Sequence, residues 1–244
     1  LMNTRLETII DDSNLAWDKT FESKKEIFIV SIDASIINQL IEKRELLSTV
    51  DPCNFKFLES IISDFKSKLI SGSGFIIIDG TCFEKFSNEE VQMIYQIFAK
   101  SLGELYVQNI KKEKLVLIKN EGKSMKTGGR YHQTKEGGSY HTDSPQWKNV
   151  PDIIGLCCIN PAKIGGTSKF ISSYTVHNLF LQKDSQLLET LYNKFYFDKR
   201  GEIKENEEPT IFEPIMQFKN NKLMFRYLRD YVDSGHKIQN KPLT

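Results

Sequence analysis

The sequence has 244 residues, 39% of them hydrophobic and 27% charged, with a formal net charge of +1. That length suits one globular domain with a sizeable core. The even charge balance argues against a broad nucleic-acid footprint or a polybasic membrane anchor. No apolar run reaches the length of a membrane span, and the run Ile27-Phe28-Ile29-Val30 near the start is too short for a signal-peptide core. Leu1 ahead of Met2 reads as a cloning scar. The four cysteines, Cys53, Cys82, Cys157 and Cys158, include no Cys-x-x-Cys pair. They read as small buried hydrophobes in a reducing cytoplasm, not as a disulfide frame or a zinc site.

Residues 26–32 are strand-like and β-branched. Asp51-Pro52 reads as an N-cap with proline at the first helical position. Behind it Phe57, Leu58, Ile61, Ile62, Phe65 and Leu69 recur at helical spacing. The run Ser71-Gly72-Ser73-Gly74 stops that helix, and residues 74–79 read as a buried strand. Ser87 with Glu90 forms a capping box. It opens a helix carrying Val91, Ile94, Tyr95, Phe98 and Leu102 that ends at Gly103. A short strand is expected over 115–118. Residues 120–138 hold Gly122, Gly128, Gly129, Gly137 and Gly138 with little apolar periodicity, the pattern of a long functional loop.

The second half is mainly strand-like, over 139–143, 153–159, 168–172, 195–198, 211–218 and 222–232. Asp184-Ser185 starts one more helix through Leu187, Leu188 and Leu191. Helices first and antiparallel-looking strands later define an α+β domain with a β-sandwich core.

His141-Thr142-Asp143 carries the chemistry. A histidine and a carboxylate two residues apart on a strand share one face, so both can grip one metal ion. A second histidine from elsewhere would complete a two-histidine, one-carboxylate facial triad, which favours non-haem iron(II) and leaves sites open for other ligands. The bare triplet is weak evidence. Four histidines and 32 carboxylates in 244 residues supply roughly 0.5 such match by chance. Its context is more informative: the apolar run 153–159 follows, then the turn Asn160-Pro161-Ala162, then Gly165-Gly166-Thr167-Ser168 and the apolar helix stretch 176–181.

In that order and spacing the chain resembles the taurine/2-oxoglutarate dioxygenase (TauD/TfdA-like) family, clavaminate-synthase-like branch included. The resemblance covers residues 129 to about 180 and extends more weakly to about 232. It implies a double-stranded β-helix core (jelly-roll, cupin-like), with residues 1–110 as a mainly helical flank and 111–244 as the core of a single domain. It implies His141 and Asp143 as iron(II) ligands, with 2-oxoglutarate and dioxygen as cosubstrates. Ser168 would bond a 2-oxoglutarate carboxylate; Thr167 is its neighbouring candidate, and a plain turn hydroxyl is the structural alternative. A carboxylate at 143 occupies the corner that a halogenase of this type leaves open, so hydroxylation, desaturation or cyclisation of a small polar substrate is expected, an amino acid or a derivative of one.

The family also places a second histidine ligand well downstream, followed by an arginine whose planar fork grips the cosubstrate. After Asp143 only His177 and His236 remain. His177 falls in a predicted helix and reads as a structural histidine. His236 is the alternative third ligand, but no arginine follows it. The preferred expectation is a third ligand beyond Thr244, with the chain incomplete at its C-terminus. On the substrate side Tyr131, His132, Gln133 and Tyr140 flank the glycine-rich loop, and Ser144-Pro145-Gln146-Trp147 is a candidate lid. Arg226 and Arg229 fall on opposite faces of a strand, so at most one, Arg226 by preference, faces the pocket. Two rival readings stand beside this one: a cupin-like metal enzyme that uses His236 without 2-oxoglutarate, and a non-catalytic jelly-roll binding protein.

Overall fold

The computed structural model describes residues 5–109, 111–124, 133–134, 137–203 and 205–243. Their contacts divide the chain into two compact units. One comprises Ser13–Tyr106 and Gly155–Gly165; the other comprises Leu1–Asp12, Val107–Ile154 and Gly166–Thr244. Consecutive left-handed glycines, Gly165 (φ 81°) and Gly166 (φ 77°), stand where the chain passes from one to the other.

The first unit is helical. α1 (Lys25–Phe28) leads into β1 (Ile29–Val30), followed by α2 (Ala34–Glu42), α3 (Glu59–Ile70), β2 (Ile77–Ile78) and α4 (Asn88–Leu102). β1 and β2 pair in parallel, Ile29 opposite Ile77. Residues 26–32, expected as a strand, are therefore half helix. The helix starts follow the sequence closely. Asp51 accepts a hydrogen bond from Cys53 N and opens a 3-10 helix, Pro52–Leu58, that runs into α3. Ser87 Oγ accepts from Glu90 N at 3.2 Å while Ser87 N donates to Glu90 Oε2 at 2.8 Å, closing the capping box of α4. The core gathers Leu40, Phe65 and Ile97, all fully buried, one from each of the three longer helices. Tyr95 of α4 donates to Gly155 O at 2.7 Å and ties 155–165 to this unit.

In the second unit α5 (Ser173–Lys183) and α6 (Ser185–Tyr192) meet at Asp184, whose carboxylate accepts from Leu187 N. β3 (Lys194–Asp198) pairs antiparallel with β4 (Thr210–Pro214), and β5 (Met216–Lys219) with β6 (Lys222–Phe225). Asn220 and Asn221, both at positive φ, form the two-residue β5–β6 turn. The single strand expected over 211–218 is two strands split at Ile215, because Pro214 has no N–H to continue the ladder. The strand expected over 222–232 ends at Phe225, and α7 (Arg229–Ile238) begins four residues later. The described residues form three two-stranded sheets and no closed barrel, which does not by itself establish the expected double-stranded β-helix. Residues 115–118, 153–159 and 168–172 have no partner strand among the described residues, and Leu117, Leu156 and Phe170 stand exposed. Cys53, Cys157 and Cys158, expected as buried hydrophobes, are exposed as well. No helix among the described residues is long and apolar enough to cross a membrane.

The second core packs Leu188, Phe197, Met216, Leu228 and Val232 between α6, the strands and α7. α7 lies so close to β3 that a Cβ on Gly235 would meet the Tyr196 carbonyl group, with the carbon at 2.7 Å, and Asp198 N at 2.9 Å. Alanine gains about 1 kcal/mol of helix propensity over glycine. A clash with main-chain atoms outweighs this, and Gly235→Ala is expected to cost about 1–3 kcal/mol net, read as a lower urea midpoint at unchanged m-value.

Candidate functional site

The ligand segment forms neither helix nor strand. Within residues 139–143, Thr142 pairs across to another segment: Thr142 N donates to Tyr227 O at 2.7 Å, and Tyr227 N donates to Thr142 Oγ1 at 2.9 Å. His141 and Asp143 flank that anchor. The Ser139 carbonyl accepts from His141 Nδ1 at 2.7 Å, which fixes the Nδ1–H tautomer of the neutral ring. His141 Nε2 then faces Asp143 Oδ1 at 3.4 Å. When the ring is protonated Nε2 donates to Asp143, and this hydrogen bond raises the imidazole pKa above its ordinary value. Partial burial of the ring opposes the shift, while the Ser139 carbonyl and the charge of Asp143 add to it.

An imidazole nitrogen and a carboxylate oxygen converging at this distance, with the far ring nitrogen held by a carbonyl, have the donor chemistry and orientation of two ligands for a divalent iron ion. A metal there would take the place of the proton the pair shares. Among the described residues no third His, Cys, Asp or Glu joins them.

After Asp143 the chain turns sharply. Ser144 is left-handed (φ 53°), and Trp147 N donates to Ser144 O at 3.1 Å. Gln146 Nε2 and Trp147 Nε1 both reach Glu202 Oε2, at 3.4 and 3.3 Å. A cleft of ≈ 350 Å³ opens against this turn, lined by Gln146 and Trp147 and by charged side chains that include Lys199, Glu202 and Glu213. Its volume lies within the range of small-molecule sites, about 300–1,000 Å³. Glu202 was not singled out in the sequence, and nothing local marks a glutamate 56 positions past Gln146 as its partner.

Other expected site residues are placed differently. Arg226 is buried and donates to backbone carbonyls of Pro145, Trp147 and Lys148. Its guanidinium therefore holds the turn, which corrects its reading as a substrate-carboxylate ligand. Arg229 is on α7, ion-paired with Asp233 at 2.9 Å, not on the opposite face of a strand. His236, the alternative third ligand, is in α7 with both ring nitrogens bonded: Nδ1 donates to Lys241 O at 2.7 Å and Nε2 accepts from Tyr196 N at 3.1 Å. A metal at Nε2 would have to displace that strand amide, so the geometry contradicts this alternative. Ser168 and Thr167 lie in the exposed stretch before α5. Gln133 donates to Glu121 at 3.0 Å, and Tyr140 is about half exposed. Tyr131 and His132 lie outside the described residues.

Convergent His and Asp donors beside a polar cleft are features of a metal-dependent enzyme. The family model for the taurine catabolism dioxygenase TauD, TfdA family matches residues 42–237, and the chain belongs to that family. Its members are Fe(II)/2-oxoglutarate-dependent dioxygenases. A relative, the FR-33289 synthase of Streptomyces rubellomurinus (strain ATCC 31215), is 30% identical over 178 residues, which is 72% of this chain and 51% of the relative. The chain thus spans about half the length of that relative.

His177 is structural. Fully buried in α5, it donates from Nε2 to Thr8 O at 3.1 Å, and its Nδ1 has no partner among the described residues. Burial, first, pushes its pKa below the ordinary histidine value; the Thr8 carbonyl opposes this, the nearby Arg5 charge adds to it, and Glu7 opposes it. The unfolded chain therefore binds this proton more readily than the folded one. Stability is fully present above about pH 6.5 and falls as pH drops from there toward the depressed folded value. Urea midpoints measured between pH 7.5 and 5 should decline more steeply for the wild type than for His177→Gln; equal slopes would count against the assignment.

Proposed function

We propose that this chain forms part of an Fe(II)/2-oxoglutarate-dependent oxygenase that hydroxylates, desaturates or cyclises at a C–H bond of a small polar substrate, an amino acid or a derivative of one. The observation that carries the reading is the His141 Nε2–Asp143 Oδ1 approach at 3.4 Å, oriented by the Ser139 carbonyl, in a member of this family. His141 and Asp143 hold two corners of the iron; the third ligand comes from outside the described residues. Iron with 2-oxoglutarate and dioxygen, when bound, supplies the oxidation of an unactivated C–H bond. Ser168, or Thr167 beside it, offers a hydroxyl to a cosubstrate carboxylate. Gln146 and Trp147 present the cleft to the substrate, and its charged lining supports a polar molecule over an apolar one. Gln133 and Tyr140 stay candidates at the mouth of the loop. The partner is a small molecule, with neither nucleic acid nor membrane required, and the free cysteines fit a reducing cytoplasm.

Anaerobic addition of iron(II) and 2-oxoglutarate to the full-length protein is expected to give the visible metal-to-ligand charge-transfer band of the chelate. Asp143→Ala should abolish the band and lower turnover by more than about 100-fold, beyond the roughly 10- to 100-fold typical of groups that only support a ligand. The reading does not survive if folded, iron-loaded wild type gives no band, or if Asp143→Ala turns over like wild type.

A further inference from the structure

Arg226 is a buried cation, 7% exposed, that makes no ion pair among the described residues. Burying such a charge is costly unless it is fully hydrogen-bonded. Its partners are three carbonyls of a single turn: Nη1 donates to Pro145 O at 3.1 Å and to Trp147 O at 2.9 Å, and Nη2 reaches Lys148 O at 3.5 Å. A planar guanidinium bridges several separated acceptors at once, which an ammonium does less well. The next residue, Tyr227, holds Thr142 through both of its backbone polar groups.

Asp143 lies between these two anchors. Among the described residues its carboxylate makes one contact, with His141, and its side chain is 48% exposed. Metal-binding carboxylates are ordinarily oriented by further hydrogen bonds to the ligand itself. Here the orientation comes through the backbone. Thr142 is pinned on one side, and the Pro145 carbonyl on the other, with only left-handed Ser144 between Asp143 and Pro145.

We propose that Arg226 and the Tyr227 peptide form a clamp that positions the His141–Asp143 pair for metal binding, with Arg226 as a positioning residue and not a substrate ligand. The inference rests on the reading of that pair as metal ligands.

Cobalt(II), a spectroscopic stand-in for iron(II), tests it by visible absorption titration of the full-length protein, with far-UV circular dichroism confirming the fold of each variant. Arg226→Met should weaken cobalt binding about 10- to 100-fold. Thr142→Val, which keeps the shape but removes the acceptor for Tyr227 N, should weaken it in the same direction, and Thr142→Ser should bind as wild type does. Asp143→Ala should bind no cobalt at this site. If Arg226→Met fails to fold, Thr142→Val against Thr142→Ser decides. The clamp is overturned if Asp143→Ala loses cobalt while the folded Arg226→Met and Thr142→Val variants keep wild-type affinity. If wild type and Asp143→Ala take up cobalt alike, or wild type takes none, the metal reading itself has failed.

Discussion

The site depends on how a segment without secondary structure satisfies its own backbone. Residues 139–148 have no helix or ladder to hold their backbone, and within them Pro145 and Gln146 are buried. Partners for that backbone come from the three residues between β6 and α7. Arg226 donates its amide to Ile215 O at 2.9 Å, continuing the strand, while its side chain gathers the 145–148 carbonyls. Tyr227 engages Thr142. Leu228, buried, accepts the first amides of α7 from Tyr231 and Val232. One short junction thus ends a strand, starts a helix and holds the ligand segment, so a loop carrying function is fixed to a packed scaffold.

That junction is only as fixed as α7, and α7 is seated on β3 by contacts with little tolerance. Gly235 lets the helix backbone approach Tyr196 and Asp198. His236 accepts from Tyr196 N and donates to Lys241 O, Ser234 bonds the Asp198 carboxylate at 2.8 Å, and Gln239 donates to Thr210 at 2.9 Å. His236 is therefore explained by its place in the fold: it seats the helix on the strand that in turn sets the position of Arg226 and Tyr227.

The parts of this arrangement readable from sequence are those whose signal is local. The Asp51-Pro52 start, the Ser87–Glu90 box and the Asp184 cap depend on residues within a few positions of one another, and the structure has each of them. The approach of His141 to Asp143 is local in the same way, two residues apart and 3.4 Å between side chains, while their role as metal ligands belongs to the proposal. The misreadings are cases where composition stood in for a partner. Residues 153–159 are apolar enough for a strand, but a strand exists only through a ladder, and no ladder forms there among the described residues. Arg226 looked like a pocket cation because alternation along 222–232 was extended past Phe225; nothing within that stretch announces carbonyls some 80 positions upstream.

The same backbone also links the ligand pair to the cleft. Glu202 accepts from both Gln146 and Trp147, so the cleft wall belongs to the turn that Arg226 holds from behind. A substrate seated against those side chains would be referenced to the same main-chain carbonyls that set Asp143. Reacting atoms must be held about 3–3.5 Å apart in the right orientation, and misplacement by about an ångström can cost roughly 100-fold in rate. Two independent loops, one for metal and one for substrate, would each add their own positional spread. On the proposed reading, a single turn that carries Asp143 at one end and the Gln146–Trp147 wall at the other would remove one of those errors, a physical reason for burying an arginine charge on three backbone carbonyls.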